Sequence, residues 1–160
     1  MVSQPAPTPI LLRDGGSNEL DVVMAIMDSA FQPCFGERWT RSQCSGILPM
    51  TGVRMRLAGH DERHAAGFSL MRVVADEAEL LLIAVHPTAQ RGGIGAALLD
   101  DFVTYAHHAG AHHLHLEVRS GNPAMGLYGD KGFVIAGRRR DYYHGPQGEH
   151  YDALTLVFQD

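Results

Sequence analysis

"AELLLIAVHPTAQRGGIGAALLDD", residues 78–101, joins an unbroken apolar run to three glycines and then to a helical pattern. The run over 78–85 shows no polar alternation, so both faces of that strand must be covered, which places it at the centre of a sheet. After the glycines, Ile94, Leu98, Phe102, Tyr105 and Ala109 recur at helical spacing until Gly110 stops the pattern. Strand, glycine turn and helix gather free amides near Gly92 to Ala96 at a helix N-terminus, where the peptide dipoles favour an anion. Neither familiar nucleotide loop fits. No Lys followed by Ser or Thr stands where a P-loop needs it, and Gly93-x-Gly95 is followed by Ala96, Ala97 and Leu98 instead of a third glycine. Glycines alone leave two readings open: a diphosphate cradle, or a tight turn that packs closely.

Upstream, Leu20, Val23, Met24, Met27 and Phe31 follow Asn18 at helical spacing, with Asn18 read as the cap. Pro33 and Gly36 break that pattern. Residues 53–58 and 66–74 read as two strands around the turn-like "GHDERH". Downstream, "AHHLHLEV" (111–118) alternates, with Leu114, Leu116 and Val118 on one face and His113, His115 and Glu117 on the other. Asn122-Pro123 opens a short helix, "AMGLYGDKG" (124–132), before two final strands at 132–143 and 150–158. This order is α/β, with a parallel pair wherever helix 94–109 connects two strands.

At 160 residues, without internal repeats, the chain is expected to form one domain over 1–160, with residues 1–8 a loose lead-in. The formal charge of −5 argues against nucleic acid as the main partner. Cys34 and Cys44 form no CxxC pair and read as reduced thiols, though a single bridge is left open. No secretion signal is read at the start, and "LLLIAV" is far too short to span a bilayer, so a cytoplasmic protein without membrane contact is expected. "HHAGAHHLH" (107–115) lacks an HExxH or third-ligand pattern, so no metal is expected.

Gln90-x-x-Gly93-x-Gly95-Ala96, after a strand ending in "AV", resembles the coenzyme A loop of the GNAT acyltransferase superfamily. "LEVR" (116–119), Asn122, "LY" (127–128) and "GF" (132–133) follow in that superfamily's order, and the resemblance covers roughly residues 66–158. Within it, "LEVR", "RRDYY" (139–143), "DA" (152–153) and the weaker match "AFQPCFGERWT" (30–40) are most similar to the bacterial ribosomal-protein-alanine N-acetyltransferases. The resemblance implies a mixed central sheet with a splayed parallel pair, flanked by helices. It implies acetyl-CoA as co-substrate, its pantetheine arm on the strand near Ile83, Ala84 and Val85. The diphosphate is then expected on Gln90, Arg91, Gly92, Gly93, Ile94, Gly95 and Ala96, where side chains in place of the glycines would block the amides.

The same resemblance implies Glu117 as general base, Tyr128 as general acid, Asn122 as helix cap and coenzyme contact, and Tyr142 and Tyr143 beside the substrate. A salt-bridged Glu117, a core Tyr128 and His115 as the base are the alternatives, and Arg138 to Arg140 read as a solvated strand end. One departure stands out: the family usually has seven residues from that Asn to the Tyr, and here there are six. Acetyl transfer needs a neutral amine and a proton for the departing thiolate. An α-amine lies about one pKa unit from its free base at pH 7, whereas freeing a Lys amine costs about 4.6 kcal/mol. The expected activity is acetylation of a protein N-terminal α-amine, such as a ribosomal protein's. Direct attack is expected because neither Cys lies in the expected site. Acetylation of a small amine, or a catalytically silent acyl-CoA-binding module, are the competing readings.

Overall fold

The apolar run becomes β4 (Glu77–Val85), the fourth strand across a seven-stranded sheet. The computed structural model describes residues 3 and 8–159, so the expected lead-in lies almost wholly outside the described residues. The other strands are β1 (Leu11–Gly15), β2 (Val53–Gly59), β3 (Ala65–Val74), β5 (His113–Arg119), β6 (Phe133–His144) and β7 (His150–Phe158). Their order is β1-β2-β3-β4-β5-β7-β6. Every neighbouring pair is antiparallel except β4 and β5. The helices are α1 (Leu20–Ala30), α2 (Arg41–Ile47), α3 (Ile94–His108) and α4 (Met125–Asp130), and α3 is the crossover that the parallel pair requires.

Both faces of β4 are covered, as its uninterrupted apolar sequence demands. On one face α1 sets Leu20, Val23, Ile26 and Met27 against Met55, Phe68, Leu70, Leu82 and Ala84. On the other, α3 sets Leu99, Phe102 and Ala106 against Ala78, Leu80, Leu114 and Leu116. Burying each of these larger side chains stabilises the fold by roughly 1.5–3 kcal/mol.

Leu80 and Leu82 should share a face by strand alternation, yet they pack on opposite sides. The cause is a bulge: Leu70 pairs with Leu82 and Met71 with Leu80, leaving Leu81 as an extra residue on β4. Pairing between β4 and β5 runs from Glu77–His113 to Leu80–Leu116 and ends there. A bulge bends its strand, and β4 parts from β5 at that point. Beyond it, β4 keeps only β3, and β5 keeps only β7 as Glu117–Thr155, Val118–Leu154 and Arg119–Ala153.

Three features were not anticipated. β1 is a five-residue edge strand too short and too exposed to show a period. α2 has only seven residues, mostly polar, although its capping box was in the sequence: Gln43 N–H donates to the Thr40 hydroxyl at 3.1 Å, and Thr40 N–H to the Gln43 side chain at 2.7 Å. Asn18 is not the cap of α1: Ser17–Glu19 form a turn of 3-10 helix, the Glu19 amide bonds the Gly16 carbonyl at 2.9 Å, and α1 starts at Leu20.

Deleting Leu81 leaves Leu80 and Leu82 on their present faces while removing the bend. The deletion variant is expected to fold and to extend the β4–β5 pairing past Leu116. Slower amide hydrogen exchange at 82–85 and 117–119 is the signature; exchange as fast as in the parent protein would show that the bulge does not hold the strands apart.

Candidate active site

The parting of β4 and β5 leaves Ile83, Ala84 and Val85 beside a gap in the sheet, with the Ala84 backbone groups turned to β3 and those of Ile83 and Val85 turned away from it. At its mouth, Gln90 donates its side-chain N–H to the Val85 carbonyl at 3.1 Å and closes the loop that follows β4. Arg91 (φ 68°) and Gly93 (φ 88°) are both left-handed, and they turn the chain into α3. The amides of Gly93, Ile94, Gly95 and Ala96 then have no acceptor among the described residues, while the Ala97 amide closes the first helical turn on Gly93 at 2.9 Å. Four converging donors at the positive end of a 15-residue helix suit a diphosphate.

The glycines divide their work. Gly93 supplies a backbone conformation that a side chain disfavours. A Cβ on Gly95 would press on Leu127 of α4 at 3.3 Å, so this glycine also answers to packing. At Gly92 a Cβ would meet only the Ala89 carbonyl, and at Gly93 only the Ile10 side chain, each at 3.5 Å, so both positions leave room for a side chain beside the free amides.

Glu117 is the first residue of β5 beyond the last β4 pair. Its carboxylate lies 3.0 Å from Arg139 Nε, and after burial its charge is the next cause that raises the pKa of the nearby Tyr142 phenol. His115 lies on the same face but within the paired part of the sheet, with its Nε2 3.8 Å from Glu79. The two candidate bases are therefore separated by the fork itself. Arg138 to Arg140 are not simply a solvated strand end: Arg139 holds Glu117, and Arg138 holds Asp152 at 2.7 Å. The remaining histidines of the run lie apart, His107 and His108 at the end of α3 and His113 beside Asp76 at 3.6 Å. No group of three or more metal-ligating side chains is assembled among the described residues.

Tyr128 projects from α4 into the core and is 5% exposed, its ring edge-on to Phe133 with centroids 6.3 Å apart. Burial, reinforced by the nearby Glu37 carboxylate, raises its pKa far above the ordinary phenol value. Tyr143 is raised in the same way, by burial first and then by Glu37 and Glu117. These phenols stay protonated at physiological pH, so each keeps a proton to donate. The short Asn-to-Tyr spacing is accommodated by Asn122, whose Oδ1 accepts the Ala124 amide at 2.8 Å ahead of α4. Its Nδ2 donates to Glu37 at 2.9 Å, so one of its hydrogens is committed within the protein.

Glu37 escaped the sequence reading. It sits in the segment before α2, where Gly36 is left-handed and a Cβ there would strike the His144 carbonyl. Its other oxygen accepts Arg119 Nε at 2.6 Å, with the two side chains only 9% and 8% exposed. The Arg119 guanidinium lies over the Phe35 ring at 3.7 Å. No spacing rule could have joined two residues 82 positions apart; the one signal was a charged pair flanked by aromatics in "FGERW".

A parallel pair that parts beside a glycine-rich helix start defines an acetyltransferase fold. The structure superposes on the crystal structure of the ribosomal-protein-S18-alanine N-acetyltransferase from Escherichia coli with a TM-score of 0.82, at 28% identity, covering 94% of this chain and 93% of that one. Residues 22–133 match the Acetyltransferase (GNAT) family, and a Bacillus subtilis (strain 168) relative is 30% identical over 93% of this chain and 95% of its own length. The chain belongs to the GNAT acetyltransferase family. The [ribosomal protein bS18]-alanine N-acetyltransferase of Salmonella typhimurium is 44% identical over 98 residues, which are 61% of this chain and 65% of the relative. The match thus spans just under two-thirds of that relative's length.

Glu37→Ala would leave Arg119 buried without its counter-charge and Asn122 without its acceptor. A loss of about 3–5 kcal/mol is expected in urea unfolding, with part of it regained in Glu37→Leu/Arg119→Met, where neither charge is stranded. A single variant within about 0.5 kcal/mol of the parent, the range of an ordinary surface substitution, would show that the pair is not structurally important.

Proposed function

We propose that this protein transfers the acetyl group of acetyl-CoA to the α-amine of a protein N-terminus, by direct attack of the amine, in the cytoplasm. The observation that carries the reading is the position of Glu117 at the fork of β4 and β5, level with the gap and away from the paired strands that hold His115. Ile83, Ala84 and Val85 would line the pantetheine arm, offering it the backbone groups of Ile83 and the Val85 amide. Gln90, Arg91, Gly92, Gly93, Ile94, Gly95 and Ala96 would surround the diphosphate, with the free hydrogen of Asn122 Nδ2 a further contact. When bound, acetyl-CoA supplies an acyl group activated as a thioester.

The chain's own residues handle protons and orientation. Glu117, its carboxylate oriented by Arg139, takes the proton that the ammonium must lose. Tyr128, held protonated by burial and by Glu37, keeps a proton for the departing thiolate. Tyr142 and Tyr143 border the place of the incoming peptide. Neither cysteine is placed for an acyl-enzyme: Cys44 lies in the α1–α2 core, where burial pushes its thiol pKa up, and Cys34 lies in the turn after α1. An α-amine is the acceptor that this machinery suits, since it needs far less help to deprotonate than a Lys side chain. The bacterial relatives named for N-terminal alanine acetylation of bS18 support that acceptor class.

The test is mass spectrometry on peptides beginning with Ala, Ser or Met beside a panel of small amines. Peptide acetylation at the α-amine is expected, its rate rising with pH and levelling near the α-amine pKa of about 8. Exclusive acetylation of small amines would transfer the reading to that substrate class. Glu117→Gln is expected to lower kcat by about 10²–10⁴-fold and Tyr128→Phe to lower it too. Both should keep the thermal stabilisation given by acetyl-CoA. Parent-like turnover in either variant removes that residue from the mechanism.

A further inference from the structure

The acidic residue of the "DA" step at 152–153 has a place in the structure that its sequence position does not announce. Arg139 pairs with Ala153 and Tyr143 with Tyr151, so Arg140, Asp141 and Tyr142 on β6 together face the single residue Asp152 on β7. This is a bulge with two surplus residues, and at its centre Asp141 is left-handed (φ 51°), a conformation that a residue with a Cβ disfavours. Both carboxylate oxygens of Asp152 are spent on holding it: Oδ1 accepts the Asp141 amide at 3.0 Å, and Oδ2 accepts Arg138 at 2.7 Å. The Asp152 carbonyl also accepts the Ser120 amide at 2.9 Å, fixing the bulge to the end of β5. The Asp141 amide and the Arg138 guanidinium together keep the Asp152 carboxyl below the usual range, so it remains an acceptor.

The bulge decides where two side chains go. In a regular strand Tyr142, three residues after Arg139, would point to the opposite face. The left-handed turn at Asp141 brings it back, its ring edge-on to Tyr143 with centroids 5.0 Å apart and within 5.5 Å of the Arg139 guanidinium. Arg139 from one side of the bulge then reaches the Glu117 carboxylate at 3.0 Å, and Tyr142 from the other lies against Arg139 and within the field of that carboxylate. We propose that Asp152 is a positioning residue for acetyl transfer: by stabilising the left-handed Asp141 it aims Arg139 and Tyr142, and through them the Glu117 carboxylate. It touches neither substrate itself. The inference rests on the reading of Glu117 as the base.

The experiment compares steady-state kinetics with an N-terminal peptide in Asp152→Ala, Asp152→Asn, Asp141→Gly/Asp152→Ala and Glu117→Gln/Asp152→Ala. Asp152→Ala is expected to lower kcat by about 100-fold, the scale of a misplaced catalytic group, with the KM for acetyl-CoA unchanged because its loop lies on another strand. Asp152→Asn, which retains an oxygen for the Asp141 amide, should keep most of the activity. Asp141→Gly should restore turnover to Asp152→Ala, because glycine adopts the left-handed turn without help. In the Glu117→Gln background, Asp152→Ala should cost nothing further, since what it positions is gone. Parent-like kcat in Asp152→Ala overturns the proposal, as does a loss that neither Asn nor Asp141→Gly rescues, or one that persists undiminished beside Glu117→Gln. A parent protein that acetylates no peptide or amine sinks the functional reading instead, so the two failures are distinct.

Discussion

The β4–β5 pairing ends after four residue pairs, at Leu80 and Leu116, and the remainder of the site depends on that ending. A sheet interior is a costly place for unpaired backbone, because each buried N–H or C=O without a partner forfeits the solvation it had in water. One extra residue in β4 forces the exposure by bending the strand while leaving its other edge fully paired to β3. The two flanking helical layers then keep the forked strands from drifting apart. α1 packs on Leu82 and Ala84 beyond the bulge, and α3 packs on Ala78 and Leu80 before it. α3 also reaches past the bulge, where Ile94 and Leu98 pack with Ile83 and Val85, so both faces of β4 are covered there, as its apolar sequence required.

Much of this was legible in the sequence, for definite reasons. The run 78–85, the helix after it and the alternating strand 111–118 are local signals, and local signals survive folding. β5 begins two residues later than the alternation suggested, at His113, since Ala111 and His112 still belong to the turn after α3. The bulge at Leu81 was not legible, because six consecutive apolar residues conceal a change of face that alternation would reveal. Nor was the Glu37–Arg119–Asn122 cluster, whose members come from two distant segments, the one before α2 that holds Glu37 and the turn 119–122 at the end of β5. The glycines were located correctly, but Gly95 proved to answer to Leu127 on α4, a neighbour that no local pattern contains.

Resemblance and physics contributed differently to the site. Resemblance singled out Glu117, Asn122, Tyr128 and the "RRDYY" and "DA" stretches without saying what connects them. The structure connects them through two bulges. One frees β5 at Glu117, and the other turns Tyr142 and Arg139 toward it. Arg139 is 61% exposed and Arg138 54%, and exposure of that degree is what made the triplet of arginines look like an ordinary solvated strand end.

Three carboxylates around the fork are paired. Glu37 meets Arg119, Glu117 meets Arg139 and Asp152 meets Arg138, each within 3.0 Å, while Tyr128 and Tyr143 stay neutral. Unpaired carboxylates would hold an incoming amine as its ammonium and raise the work of removing the proton. The arginines lessen that pull without cancelling it, since the Glu37 and Glu117 charges still add to burial in raising the Tyr143 phenol. An α-amine, whose free base is accessible near neutral pH, meets a smaller deprotonation cost in such surroundings than a Lys side chain. The pairing differs in depth. Glu37 is 9% exposed and held from two sides by Arg119 and Asn122, whereas Glu117 keeps 16% of its side chain exposed and is held by Arg139. Glu37 is thus part of the frame between β5 and the segment before α2, and Glu117 stands at the fork with part of its side chain open.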